Sequence, residues 1–156
     1  CDGTVSCSCP AGQFCSTSTP GDEGTCSTIP TPEVVLENCD PTTLQVNGRT
    51  TCHITITNAP TTGTLVLLRD QLGGTALSAS SPLASICTGT TTKTCTIQSN
   101  AFSVAGTYNI VAVLDNKEVS TDAAAVIVGT GCSSDQQCTG PASTCCGNVC
   151  CCTCCN

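Results

Sequence analysis

The chain is poor in large and in charged side chains. Its 156 residues contain no methionine or tryptophan, one tyrosine and two phenylalanines. A core of Val, Ile, Leu and Ala buries less area per residue than one with aromatic rings, so covalent bonds are expected to supplement it. Four basic residues stand against eleven acidic ones, which gives a formal net charge of -7. This acidity excludes a nucleic-acid-binding protein and argues against binding to anionic membranes.

Long apolar runs are also missing. The most apolar stretch, residues 123–128, is far shorter than the roughly 18 residues that a membrane-spanning helix needs. The sequence therefore predicts no transmembrane segment. It opens on Cys1 without a methionine or a basic and apolar leader, which predicts a processed, exported chain.

Cysteine is what the chain has in excess, with 18 residues. An even cysteine count, abundant Ser and Thr and low charge predict an oxidising location: secreted, extracellular or on a cell-surface appendage. No cofactor and no metal site is predicted. The candidates for disulfide bonds are all the cysteines: Cys1, Cys7, Cys9, Cys15, Cys26, Cys39, Cys52, Cys87, Cys95, Cys132, Cys138, Cys145, Cys146, Cys150, Cys151, Cys152, Cys154 and Cys155.

The cysteine distribution predicts three segments. Residues 1–29 hold five cysteines, residues 30–130 hold four and residues 131–156 hold nine. The first segment has few apolar residues and is expected to be a loop structure tied by its cysteines. Its C-x-C followed by PAGQFC resembles fragments of EGF-like modules. Residues 16–32 read as an extended Ser/Thr/Pro/Gly spacer whose hydroxyls are sites for O-glycans.

The central segment predicts short β-strands separated by turn residues. Alternation places Cys52, Ile54 and Ile56 on one face of a strand, and Tyr108, Ile110, Ala112 and Leu114 on one face of another. One face of these strands is predicted to pack in the core, and the other is predicted to be lined by threonine. The fold class predicted is all-β, an antiparallel sandwich flanked by disulfide-rich, loop-dominated ends. The predicted strands are residues 33–37, 43–46, 50–58, 64–69, 75–79, 92–98, 106–114 and 121–128.

The last central stretch, AGTYNIVAVLDNKEVSTDAAAVIVGT, reads as a hairpin. It resembles the closing F and G strands of immunoglobulin-like domains, in which a Gly-x-Tyr opening often makes a tyrosine corner. Tyr108 matches that position. The resemblance implies an immunoglobulin-like sandwich over residues 30–130. The chain departs from antibody-type domains because it lacks the core Trp and has no Cys in the Tyr108 strand.

The last segment has the spacing Cys132-x5-Cys138-x6-Cys145-Cys146-x3-Cys150. This is similar to the first five cysteines of inhibitor cystine-knot peptides, and the sixth would be Cys151, Cys152, Cys154 or Cys155. Only Thr153 interrupts that final run, whereas a knot needs a longer loop there. The cysteine density also resembles metallothionein, whose thiolates bind soft metals, but the tail has no lysine to offset them.

The numbers of cysteines in the three segments predict a disulfide bond that joins the two ends of the chain or links one end to another molecule. If the four central cysteines pair among themselves, the odd five and odd nine require at least one bond between the two ends or to another molecule. Cys87 and Cys95 suit a hairpin staple, which leaves Cys39 with Cys52, although the two other pairings of these four stay open. Lipidation of Cys1 is an alternative that would leave an odd thiol.

Catalysis finds little support, and no enzyme is predicted. His53, the only histidine, lies on the polar face of its predicted strand, and no nucleophile motif accompanies it. Most of the acids lie in turns and spacers, where solvation explains them. Asp115 and Asp122 flank the final hairpin and could form a Ca²⁺ site, but the sequence has no EF-hand pattern.

Two hypotheses of function follow, and a third is weaker. The first is a secreted structural subunit that self-assembles into an extracellular filament, appendage or coat, because its cross-linking capacity lies at both ends. Residues 16–32 could also carry a strand onto a neighbour's sheet edge. The alternative is a monomeric secreted binding module or cystine-knot-type inhibitor. The third is metal storage by tail thiolates.

Overall fold

The computed structural model describes residues 9–11, 13–16, 25–131, 143–146 and 149–152. The chain divides into two compact units, Cys1–Thr31 and Pro32–Asn156. The predicted boundary between the first and second segments, at residue 29, lies close to this division. The predicted segment 131–156 falls within the second unit together with the central segment.

The first unit contains a hairpin. Strand β1 (Gln13–Ser16) pairs antiparallel with β2 (Thr25–Thr28). Sequence reasoning expected loops here and an extended spacer from residue 16, which is wrong for β2. The physical reason is that few apolar residues mark a strand here, whereas a hairpin tied by the Cys9–Cys26 disulfide needs no apolar core.

In its described residues, the second unit is built from strands and one short helix, α1 (Leu83–Ile86). No helix in the described part of the chain is long and apolar enough to cross a membrane. The strands are β3 (Glu33–Asp40), β4 (Thr43–Gln45), β5 (Thr51–Thr57), β6 (Thr64–Arg69), β7 (Ser81–Pro82), β8 (Cys87–Gly89), β9 (Lys93–Gln98), β10 (Gly106–Leu114), β11 (Glu118–Val119), β12 (Ala124–Gly131), β13 (Ser143–Cys146) and β14 (Val149–Cys152).

Two sheets divide these strands. The smaller has the order β3-β5-β9-β8, with antiparallel neighbours throughout. The larger has the order β13-β14-β12-β10-β6-β7, and in it β11 pairs with β10 while β4 runs parallel to β12. The chain therefore crosses from the smaller to the larger sheet between β3 and β4. The predicted all-β class is confirmed.

The long, regular strands follow the sequence pattern closely. The predictions for residues 64–69 and 106–114 coincide with β6 and β10. The closing hairpin is also present, since β10 pairs antiparallel with β12. Its turn places Asp115 and Asn116 in the left-handed region, at φ 50° and 55°, where Asn and Asp are tolerated better than most residues.

The predicted strand at residues 75–79 is wrong. Those residues form only an isolated bridge, between Ala76 and Leu68. Its β-like composition is overridden because the Ser78 hydroxyl accepts the Leu67 N–H at 2.9 Å, so a side chain replaces the backbone partner that a strand would supply. The final strand begins at Ala124 rather than at residue 121, because the Ser120 hydroxyl donates to the Asp122 carbonyl at 2.7 Å and forms a turn there.

One apolar core lies between the two sheets. The predicted inward faces are confirmed: Ile54 and Ile56 of β5 and Ile110 and Ala112 of β10 are all fully buried in it. Leu83 of α1 is likewise fully buried in this cluster. The core thus joins both sheets without a disulfide between the described strands of one sheet and those of the other.

The opposite face of β10 corrects the sequence reasoning. It was expected to be threonine, yet Val111 and Val113 are buried there with Leu68, and Val66 packs against them. The expectation failed because the whole of residues 110–114 is apolar, so period-two alternation cannot mark one face as polar. The larger sheet therefore has apolar clusters on both faces.

Candidate functional site

The four cysteines of the sandwich are bonded to one another. Cys39 pairs with Cys52 and Cys87 with Cys95, which is the arrangement that the spacing favoured. In both pairs the two cysteines are directly opposite each other on neighbouring antiparallel strands. Each bond ties an edge strand of the smaller sheet, β3 or β8, to an inner strand. Cys39 and Cys52 are both buried in the core, so reductants reach their bond only after local opening. In the other pair Cys95 is buried and Cys87 is partly buried.

The cysteines of the first unit follow a different rule. Cys26 is bonded to Cys9, with their Cα atoms 5.6 Å apart. In the hairpin register, however, the residue opposite Cys26 is Cys15. The cross-strand rule that holds for both sandwich disulfides therefore does not determine the pairing here. Cys1 and Cys7 lie outside the described residues.

The tail continues the larger sheet. Strand β14 pairs antiparallel with β12, and β13 pairs with β14 so that Cys145 is opposite Cys150. Sequence reasoning expected this segment to be dominated by loops, and the described part is a hairpin instead. The knot and the metal-thiolate alternatives depend on Cys132, Cys138 and the final cysteines 154 and 155, which lie outside the described residues.

The disulfides of the sandwich limit how the remaining cysteines can pair. Because the four central cysteines are satisfied internally and Cys9 is bonded to Cys26, three cysteines of residues 1–29 and nine of residues 131–156 remain to be paired. Both numbers are odd. Full oxidation therefore requires at least one cysteine of each terminal segment to bond outside its own segment.

The other sequence candidates are not brought together. His53 is exposed on β5, and its Nδ1 lies 3.5 Å from the Thr96 hydroxyl. Asp115 Oδ1 accepts the Thr64 N–H at 2.7 Å, whereas Asp122 lines a groove beside β3. Among the residues that the structure describes, no three acids, histidines or cysteines are placed to hold a metal ion.

The groove beside β3 is a feature that the sequence reasoning missed. It encloses about 350 Å³ between the outer edge of β3 and the start of β12. Leu36 and Asn38 pair with consecutive residues of β5, so Glu37 is the extra residue of a β-bulge. Glu37 and Asp122 both line this groove. No short sequence signal marks it, since a bulge appears only when two strands are aligned.

Comparison of the chain with models of protein families and with curated proteins finds no match. The fold and the cysteine arrangement therefore carry the functional argument.

Proposed function

We propose that this protein is a secreted, disulfide-stabilised structural subunit that self-assembles into an extracellular filament, appendage or coat. The observation that carries the proposal is the division of its cysteines. The sandwich uses its own four internally, and each odd terminal set leaves at least one cysteine to bond outside its segment, to the other end or to another molecule. A subunit that joins its neighbours through unlike ends forms an open assembly where the contact does not close into a ring.

The proposal includes an immunoglobulin-like sandwich. The order β3-β5-β9-β8 corresponds to strands A, B, E and D of that fold, and β6, β10 and β12 correspond to C, F and G. Tyr108 supplies a second support, since its hydroxyl donates to the Val104 carbonyl at 2.7 Å, as in a tyrosine corner.

Disulfide joints are favoured over strand exchange between subunits. The outer edge of β3 is interrupted by the Glu37 bulge, and β8, the other edge of the smaller sheet, has only three residues. Bulges, charged residues and short edge strands are the devices that prevent edge-to-edge pairing. We therefore assign the contacts between subunits to the terminal cysteines, with exposed Ser and Thr as sites for O-glycans and no catalytic role.

The test is electron microscopy and denaturing electrophoresis of natively secreted protein, before and after reduction. We expect regular fibres, and a ladder of covalent oligomers that collapses to 15.6 kDa on reduction. A Cys87→Ala/Cys95→Ala variant is the control, because it removes a sandwich bond without changing the terminal segments and should keep the ladder. Dispersed 15.6 kDa chains without reductant would reject the proposal in favour of a monomeric binding module.

A further inference from the structure

A pocket lies at one end of the larger sheet, where β6 ends and β10 begins. It encloses about 450 Å³, within the range of roughly 300–1,000 Å³ that small-molecule sites occupy. Arg69 and Tyr108 form one side of it, and Ala76, Leu77 and Val104 contribute apolar surface. We name it the Arg69 pocket. Neither the cysteine framework nor the proposed assembly uses it.

The arginine of this pocket is held in place before any ligand arrives. Its Cζ lies 4.6 Å from the centroid of the Tyr108 ring, a cation–π distance. Its Nη2 donates to the Thr107 carbonyl at 3.4 Å, and its Nε lies 3.4 Å from Oδ2 of Asp70. These contacts restrain the guanidinium, which lowers the side-chain entropy lost on binding.

The guanidinium also keeps unused donors. Of its five N–H groups, the contacts with Asp70 and Thr107 occupy two. Within the described residues, no acceptor contacts the other three. The Arg69 side chain is 44% exposed, so these donors face solvent or the pocket. A carboxylate matches such a fork with two parallel hydrogen bonds.

The remaining lining favours an apolar ligand body. Val104 is 64% exposed and is the most exposed large apolar side chain that the structure describes. Ala76 and Leu77 line the same pocket, so a compact hydrocarbon group would remove apolar surface from water here. Arg69 is one of only four basic residues in a chain of net charge -7, so few places on the surface can attract an anion.

We propose that the Arg69 pocket binds a small monocarboxylate with a compact apolar body. The carboxylate pairs with the free N–H groups of Arg69, and the apolar body packs against Ala76, Leu77 and Val104. The size of the pocket limits the ligand to a small molecule.

The chain provides its own reporter for this site. Tyr108 is the only tyrosine and tryptophan is absent, so fluorescence excited in the tyrosine absorption band arises from this pocket residue alone. The full-length oxidised protein is titrated with cyclohexanecarboxylate, with the neutral cyclohexanecarboxamide and with acetate. We expect a saturable change with cyclohexanecarboxylate and at least about tenfold weaker binding of the carboxamide, because it lacks the charge that strengthens the hydrogen bonds. Acetate lacks the apolar body and is also expected to bind more weakly.

Variants separate the two halves of the recognition. Arg69→Lys keeps the charge but loses the fork, and should weaken binding of cyclohexanecarboxylate about tenfold. Val104→Ser should weaken binding of cyclohexanecarboxylate and leave acetate unchanged. Arg49→Ala is the matched control, because Arg49 donates to the Ser99 carbonyl and does not line the pocket. Amide shifts of Ala76 and Ser103 in NMR spectra provide a readout independent of Tyr108.

Several results would overturn the proposal. They are equal affinity for carboxylate and carboxamide, equal weakening by Arg69→Lys and Arg49→Ala, and absence of saturable binding by either readout. A fluorescence change that depends on protein concentration alone would assign the pocket to a second copy of the chain and would likewise overturn it. Because assembly is measured separately, none of these results bears on the proposed structural role.

Discussion

The two sheets of the sandwich are stabilised by different means. The smaller sheet has a disulfide at each edge, Cys39–Cys52 at β3 and Cys87–Cys95 at β8, and most of its outward side chains are polar. The larger sheet has no cysteine in β4, β6, β7, β10, β11 or β12. It instead buries a second apolar cluster on its outer face.

This difference follows from how much apolar surface each sheet has available. A strand with one apolar face gains burial on that face only, and an edge strand also has a partner on one side only. Disulfides supply the missing restraint at β3 and β8 by limiting the unfolded chain. In the larger sheet β10 has neighbours on both sides and apolar residues on both faces, so packing alone can hold it. The comparison thus predicts where substitutions cost most.

The largest effect is expected on the inner face of the larger sheet. Leu67 and Leu68 are adjacent on β6 but face opposite ways, with 0% and 7% of their surface exposed. Leu67→Ala should lower the free energy of unfolding by about 4 kcal/mol, since it leaves a cavity between the sheets. Leu68→Ala should cost about 2 kcal/mol, because the small outer cluster can collapse or admit water. Urea unfolding measures both.

The leucine pair contains its own control, because the same atoms are removed from neighbouring positions of one strand. Equal losses would mean that the outer cluster is as tightly packed as the core. The second apolar face would then account for more of the larger sheet's stability than the comparison assigns to it.

The next effect concerns the edges of the smaller sheet. Replacing Cys39 and Cys52 together by alanine should lower the free energy of unfolding by about 3 kcal/mol. The Cys87→Ala/Cys95→Ala variant should lose slightly less, because the residues it links are 8 apart in sequence rather than 13. Unfolding in urea without reductant gives both values. A loss below about 1 kcal/mol would show that pairing with β5 and β9 already holds the edges.

A third effect concerns buried serine hydroxyls that accept backbone N–H groups in both sheets. The hydroxyls of Ser78, Ser99 and Ser120 accept the backbone N–H groups of Leu67, Thr50 and Ala112, at 2.9, 3.0 and 3.1 Å. All three serines are buried. The bonding is reciprocal in two cases, because the Ser99 N–H donates to the Thr50 carbonyl and the Ser120 N–H donates to the Ala112 carbonyl. Each hydroxyl thus satisfies an amide in a strand or directly before one, where the backbone ladder ends.

Ser120→Ala should lower the free energy of unfolding by about 2 kcal/mol, because it leaves the Ala112 N–H buried without an acceptor. Hydrogen exchange at Ala112 should also become faster. Ser85→Ala is the control, since the Ser85 hydroxyl donates to the Pro82 carbonyl at an exposed site, and it should change stability by less than about 0.5 kcal/mol. If both variants behave alike, a water molecule must replace the Ser120 hydroxyl.

The sequence predicts the strands that are long enough to show a regular pattern of apolar residues. Alternation in β5 and the long apolar run of β10 define strands and an inner face, and local spacing favours the Cys87–Cys95 staple. Short strands such as β7 and β11, with two residues each, offer no period to detect. Their positions depend on the partner strand, which the local sequence does not contain.

The sites depend even more on distant residues. Ser120 resembles an ordinary turn residue until Ala112 is placed beside it. Glu37 becomes a bulge only through the register of β3 with β5. The Arg69 pocket joins residues 39 positions apart, Arg69 and Tyr108, and no spacing rule links them. Sequence reasoning found Tyr108 as a corner residue, because that role is local, and missed its role in the pocket.

The smallest effect is expected from removal of the Tyr108 hydroxyl, which donates to the nearby Val104 carbonyl. Tyr108→Phe keeps the ring, which lies 4.7 Å from Phe102 and 4.6 Å from the Arg69 guanidinium, and removes only the hydroxyl that donates to the Val104 carbonyl. The loss should be about 1 kcal/mol in urea unfolding. It is expected to be smaller than for Ser120→Ala because Val104 is 64% exposed, so water can solvate its released carbonyl, whereas the Ala112 amide is buried. A loss larger than that of Ser120→Ala would mean that the corner, rather than the serine hydroxyls, limits the stability of the larger sheet.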